Sequence, residues 1–287
     1  MIIDAQVHAY AASSATWPWL HPRATPTLPE VTGEQLVAAM DAVGVDAAML
    51  VSPWETYRDD TRYAESVYRS HPGRFRLVAP IDPNGSGVTA RIKEWAATPG
   101  AAAIRLLFIP GDGDHDQAAV APAVNRAVSA AAEAGLVVNV LCWDQLTVLD
   151  ELAREFPHAQ LVLDHCGLRQ PRQPPAPPDP FARLDQVLAL ARYPNVAVKL
   201  TASATYSHRP FPYPDLWQPI GRLIDAFGAD RCLWGTDWQR VTRFLSYQQG
   251  VSAFRDLWPL PAADRAMLLG GTAARVYQWA PGSTAGC

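Results

Sequence analysis

Few residues in this chain are equipped for chemistry, and they lie far apart. Asp4, Gln6 and His8 occupy alternate positions near the start. Asp164 and His165 are adjacent in Leu163-Asp164-His165-Cys166-Gly167, and Lys199 stands in Val198-Lys199-Leu200. Asp237 sits inside Trp234-Gly235-Thr236-Asp237-Trp238. A carboxylate and two imidazoles that converge are either a hydrogen-bonded polar network or a reaction site. Arg105 and Lys199 are the cations suited to reading an acidic substrate, since a guanidinium grips a carboxylate through two parallel hydrogen bonds. Lys199 is equally suited to an ion pair with Asp164 or Asp237. Ser52, Trp54, Tyr57, Tyr206 and Trp238 are candidates to close a pocket around the substrate.

These groups can act together only if elements distant in sequence end at one place. Met1 to His8 reads as a strand, whose alternation puts Asp4, Gln6 and His8 on one face and Ile3, Ala5 and Val7 on the other. A repeating rhythm follows. Thr32 caps a helix over Gly33 to Val43, and Gly44 breaks it before the apolar run Ala47 to Val51. Helices over Asp60 to Ser70, Gly87 to Ala97, Ala118 to Ala134, Gln145 to Phe156, Phe181 to Arg192 and Asp215 to Phe227 each lead into an apolar run. Those runs are Phe75 to Ala79, Ala102 to Leu107, Leu136 to Leu141, Leu161 to His165, Val196 to Leu200 and Cys232 to Trp234. The tail from Tyr247 to Trp279 reads as helical.

Eight strands alternating with helices predict an α/β fold, a (β/α)8 TIM barrel spanning residues 1–287 as one domain. An open doubly wound sheet is the competing arrangement. The longest loops, Ala9 to Val31, Ile109 to Gln117, Gly167 to Asp179 and Ala202 to Pro214, all follow strands. They therefore gather at the strand C-termini, where barrels of this kind carry their chemistry. Asn139 and Cys142 on the fifth strand and Thr201 on the seventh also end there.

The 287 residues are 49% hydrophobic and 18% charged with a formal charge of -4, which suits a large core and gives no general attraction for nucleic acid or a membrane surface. The chain opens directly in a strand and contains no long uninterrupted apolar run, so a cytoplasmic location is expected. Cys142, Cys166, Cys232 and Cys287 lack CxxC spacing, which argues against a structural zinc site or a disulfide framework. The proline run from Pro171 to Pro180 reads as a stiff lid or as a contact in a homo-oligomer, and Trp17 and Trp19 would also fit such a contact.

Taken in order, Asp4-x-Gln6-x-His8, Leu163 to Gly167, Val198-Lys199-Leu200 and Trp234 to Trp238 resemble the amidohydrolase superfamily. More narrowly they resemble its amidohydrolase-2 branch, which includes pyrone-dicarboxylate and sugar lactonases; the similarity extends to Leu269 to Tyr277 in the last helix. The resemblance implies a hydrolase in which Asp237 manages a water proton, acting on a small, carboxylated lactone; for that reaction Asp237 is expected as the general base, with His8, His165 and the Gln6 amide polarising the carbonyl. The superfamily's usual His-x-His on the first strand is here Gln6-x-His8, and the fifth strand has no histidine. The ligands that remain are His8, His165 and Asp237, so the expectation is no cofactor or one weakly held divalent metal, zinc by preference. A metal-dependent decarboxylase of an aromatic or unsaturated acid is the alternative in the same branch, and a barrel that only binds a ligand is a third reading.

Overall fold

The computed structural model describes residues 1–20, 26–109 and 122–279. Its centre is one sheet of eight parallel strands in chain order: β1 (Ile3–Val7), β2 (Ala47–Val51), β3 (Phe75–Pro80), β4 (Ala101–Leu107), β5 (Val137–Leu141), β6 (Leu161–Leu163), β7 (Val196–Thr201) and β8 (Cys232–Gly235). Helices lie between them and β8 returns beside β1, so the expected (β/α)8 barrel forms. The first helix is Gly33–Val43, with Thr32 and Gln35 making a reciprocal cap and Gly44 ending it in the left-handed conformation. No helix among the described residues is long and apolar enough to cross a membrane.

The strands are buried on both faces and bear two apolar layers. Leu50, Leu77, Leu106, Val140, Leu163, Val198 and Trp234 face the surrounding helices. Ile3, Ala5, Met49, Val78, Ala103, Val162 and Leu233 fill the barrel floor together with Tyr277 and Trp279. The final helices plug the end where the strands begin: a Cβ on Gly270 would stand 2.6 Å from the Met1 carbonyl oxygen. The opposite end is left to the polar tips.

β1 does not keep its alternation. Asp4 pairs with Ala48 and Val7 with Leu50, so β1 carries one extra residue, a bulge that reverses its faces. Gln6 and His8 consequently turn toward the barrel mouth, whereas Asp4, expected on their face, turns outward. Its carboxylate accepts hydrogen bonds from the Thr236 backbone N–H at 2.9 Å, the Thr236 hydroxyl and the Gln6 backbone N–H. Asp4 thus staples the first strand to the last, next to the backbone bond from Asp237 N to Gln6 O at 2.9 Å. Gly235 permits the approach: a Cβ there would lie 2.8 Å from Asp4 Oδ1 and 2.9 Å from Ala5 N.

Other departures have local causes. β6 stops at Leu163 instead of reaching His165, because the chain enters a tight turn over His165–Gly167. Phe181 to Arg192 forms only a helix at Leu184–Ala189 and a 3-10 turn at Leu190–Arg192. The tail is helical in pieces, interrupted after Leu257 where Pro259 and Pro261 lack the amide donors a helix requires. A short helix at Trp54–Tyr57 was not anticipated. Most of the Ile109 to Gln117 loop and the start of the Ala118 to Ala134 helix lie outside the described residues, as does Cys287.

Burial raises the Asp4 carboxyl from 3.8 to about 6, against the hydrogen bonds from Thr236 and Gln6. The folded state therefore binds this proton more tightly than the unfolded chain. The stability tied to it is complete below about pH 4 and is lost as pH rises to about 6, amounting to about 3 kcal/mol. Asp4→Asn mimics the protonated form. The melting temperature of wild type relative to this variant should fall between pH 4 and 6 and level off above; a difference independent of pH would refute this account of the staple.

Candidate active site

The site is built on a buried trio of charges. Asp164, just beyond β6, lies between Arg105 of β4, whose Nε is 2.6 Å from Oδ2, and Lys199 of β7, whose Nζ is 3.1 Å from Oδ1. Burial pushes the Asp164 carboxyl up, but Lys199 and then Arg105 outweigh it and hold it well below the usual range. Burial pulls Lys199 below its ordinary value, and Asp164 opposes that pull.

From this trio the protonation pattern can be followed outward. Lys199 donates to Gln6 Oε1 at 2.8 Å, and since an ammonium only donates, the Gln6 amide nitrogen must be the atom facing His8 Nε2 at 3.3 Å. His8 Nδ1 is 2.7 Å from the Val51 carbonyl oxygen, which only accepts, so Nδ1 carries a hydrogen. Nε2 is then the working nitrogen, placed between the Gln6 amide and Asp237 Oδ1, the latter at 3.2 Å. A neutral ring accepts from Gln6; a protonated ring donates to Asp237.

His165 is fixed in the same way. Arg105 Nη2 lies 3.2 Å from its Nε2 and can only donate, so Nδ1 holds the hydrogen and gives it to Thr201 Oγ1 at 2.7 Å. Burial pushes this imidazole down to about 3, which agrees with a neutral ring. His165, Cys166 and Gly167 all take positive φ, at 53°, 55° and 65°, and Asp237 does so at 52°. Left-handed non-glycine residues cost energy and concentrate where geometry matters more than local comfort. Tyr206, from the loop after β7, braces the β6 turn with its hydroxyl shared between the carbonyls of His165 (3.0 Å) and Leu168 (2.9 Å).

Asp237 is fully buried. Burial pushes its carboxyl up, and His8, followed by His165 and Arg240, together outweigh this and keep it below the usual value. Neither of its oxygens accepts a well-formed hydrogen bond from the described residues. Unpartnered polar atoms also mark Trp143 Nε1, Gln170 Nε2 and the Gln239 amide. Trp143, Gln170 and Gln239 line a cleft of about 670 Å³ above the strand tips, and a buried polar group without a protein partner points to a ligand.

His8 and Arg105 line that cleft, and Gln6, His165, Asp237 and Lys199 stand directly behind them. Of the candidate pocket walls only Trp54 reaches it. Ser52 is turned away to donate to the Asp60 carbonyl, and the Tyr57 hydroxyl accepts the Ala11 amide. Tyr206 is the brace just described, and Trp238 stacks on Tyr247 at 5.3 Å. Cys142 and Cys166 are buried outside the lining, and burial pushes the Cys166 thiol up to about 12. Trp17 packs edge-on against Tyr63, and Trp19 donates to the Ala11 carbonyl. The loop at Ala202 to Pro214 does not line the cleft either. Sequence reasoning passed over Glu55, Trp143, Arg172, Arg240 and Arg243, which do line it. Arg240 and Arg243, the first cations after the Asp237 tip, were the one available signal.

The chain matches the family model described as Amidohydrolase over residues 3–279. It is 27% identical to an L-fucono-1,5-lactonase of Burkholderia multivorans, over 96% of this chain and 95% of that protein. It is 29% identical to a 4-sulfomuconolactone hydrolase of Hydrogenophaga intermedia, over 74% of this chain and 66% of that one. A crystal structure of an amidohydrolase from Burkholderia multivorans with bound zinc superposes with a TM-score of 0.80 at 24% identity, covering 98% of this chain and all of that one.

Breaking the trio from one side should leave charge stranded. Lys199→Met removes one counter-ion of Asp164 and the anchor of the Gln6 amide, and is expected to cost about 3–5 kcal/mol in denaturant unfolding. A cost under about 1 kcal/mol would show that Arg105 alone suffices.

Proposed function

The chain belongs to the amidohydrolase family, and from that premise we propose that it hydrolyses a small lactone carrying an acidic group, with Asp237 as the general base. The observation that carries the proposal is the buried Asp237 carboxylate, neither of whose oxygens accepts a well-formed hydrogen bond from the described residues while His8 Nε2 stands 3.2 Å from Oδ1.

Water beside Asp237 attacks the lactone carbonyl carbon as Asp237 takes its proton. The oxygen of the carbonyl becomes an oxyanion and needs donors. Arg105, which lines the cleft, uses Nε on Asp164 and Nη2 on His165 and retains further N–H groups to direct at it. This moves the polarising role away from His165, whose Nε2 already accepts from Arg105, and from the Gln6 amide, which faces His8. When the ring C–O bond breaks, the departing oxygen receives the proton held between Asp237 and His8. The Gln6 amide then partners the neutral His8 ring. The product is an open-chain hydroxy acid.

A divalent ion would have to draw on His8, His165 and Asp237. Both ring nitrogens that could bind it already face N–H donors, at 3.3 Å from Gln6 and 3.2 Å from Arg105. The buried cations Arg105 and Lys199 also balance Asp164 and Asp237, so a dication would add uncompensated charge at low dielectric. No group of three or more His, Cys, Asp or Glu among the described residues is arranged to hold a metal. The residues do not fit a resident ion. The free Cys142, Cys166 and Cys232 accord with work in the reducing cytoplasm.

Asp237→Asn keeps the shape and removes the base. With lactone opening followed by a pH indicator, its kcat should fall by about 10² to 10⁴, while prolonged treatment of the wild type with EDTA leaves turnover unchanged. Near-normal turnover in the variant would remove Asp237 from its role. Activity lost to EDTA and restored by zinc, or carbon dioxide released from aromatic acids in place of lactone opening, would replace the proposal altogether.

A further inference from the structure

The two cations expected to read the substrate's acid are committed elsewhere. Lys199 is fully buried and spends its donors on Asp164 and Gln6, and Arg105 is tied to Asp164 and His165. With Asp164 and Asp237 included, the floor of the cleft is electrically balanced. Its mouth is not. Among the described residues, Arg172, Arg240 and Arg243 line it against a single carboxylate, Glu55. One oxygen of Glu55 serves both Arg172 Nη2 at 2.6 Å and Arg240 Nη2 at 3.4 Å. Arg243 has no carboxylate partner among the described residues and donates only to Gln173 Oε1 at 3.0 Å.

Building on the hydrolase reading, we infer that Arg243 and Arg240 form the seat for the substrate's acidic group, with Glu55 holding Arg240 in place. The backbone sets the orientation. Arg240 N bonds to Asp237 O at 3.0 Å, so the loop that carries both arginines rises directly from the base. The carbonyl under attack lies at the floor beside Asp237 and Arg105, and the acid lies at the rim. The substrate is therefore a lactone whose carboxylate or comparable anion sits on the side of the ring away from the reacting carbonyl. The exposed Arg243 and the half-buried Arg240 bind such an anion through paired hydrogen bonds that salt weakens.

The test separates binding from turnover. Tetrahydrofuran-carboxylate and tetrahydrofurfuryl alcohol, which cannot be hydrolysed, are titrated calorimetrically into wild type, Arg243→Gln and Arg240→Gln. γ-Carboxy-γ-butyrolactone and γ-hydroxymethyl-γ-butyrolactone serve as the kinetic pair. Wild type should bind the acid in preference to the alcohol, and each variant should lose about tenfold or more in acid affinity, with the alcohol unaffected. The acid-to-neutral ratio of kcat/KM should fall by a similar factor, mainly through KM. Equal binding of acid and alcohol by wild type, or full acid affinity in Arg243→Gln, overturns the seat. Arg243 is exposed on a loop, so its removal leaves the barrel folded. Arginine-dependent acid binding with neither lactone opened would keep the seat and remove the hydrolase reading instead.

Discussion

One buried carboxylate organises the working end of this barrel. Asp164 holds Arg105 with one oxygen and Lys199 with the other, and each cation passes the constraint on. Lys199 fixes which way the Gln6 amide points, and the amide faces the working nitrogen of His8. Arg105 fixes the tautomer of His165 and presents its remaining N–H groups to the cleft. Ion pairs removed from water seldom add net stability, because desolvating the charges offsets their attraction. Their value here lies in direction: donors that can only donate leave each amide and imidazole a single consistent orientation.

The frame that brings these groups together is itself held by close contacts at the β1 and β8 junction. The bulge in β1 sends Asp4 out to Thr236 and turns Gln6 and His8 in, and Gly235 lets the strands approach. Left-handed backbone at His165 and Asp237 aims the two side chains toward each other beneath the cleft, with Nε2 and Oδ2 4.0 Å apart. Such conformations cost about 1–3 kcal/mol each and persist only where the surroundings over-determine them. Tyr206, clamped on the β6 turn, is one such surrounding residue. The apolar floor, plugged by Tyr277 and Trp279, supplies the rigidity on which the polar tips depend.

Chemistry and recognition occupy different depths. The charges at the floor are balanced, which suits a reaction in which negative charge appears only transiently on a carbonyl oxygen. Among the described residues lining the cleft, net positive charge is confined to the rim, where water moderates its cost and where an anion can arrive by diffusion. A barrel can vary the rim through its loops while leaving the strand tips alone.

Much of this was written in the chain. The alternation of apolar runs with helical periods gave eight βα units, because a strand buried on both faces and a helix buried on one leave different spacings. The polar residues His8, Arg105, Asp164, His165, Lys199 and Asp237 stood out because they end such runs, and the structure does bring them together. The sequence could not say that β1 slips by one residue and turns Asp4 away, since a bulge depends on the neighbouring strand. Nor could it say that Lys199 and Arg105 spend themselves on Asp164, or that Ser52, Tyr57, Tyr206 and Trp238 point into their own packing. Glu55, Arg172, Arg240 and Arg243 lie in segments without period, and only folding makes them neighbours. Local pattern determines which elements form, because it acts through backbone geometry within a few residues. Which charges meet is decided by tertiary structure, because electrostatic partners are chosen across space.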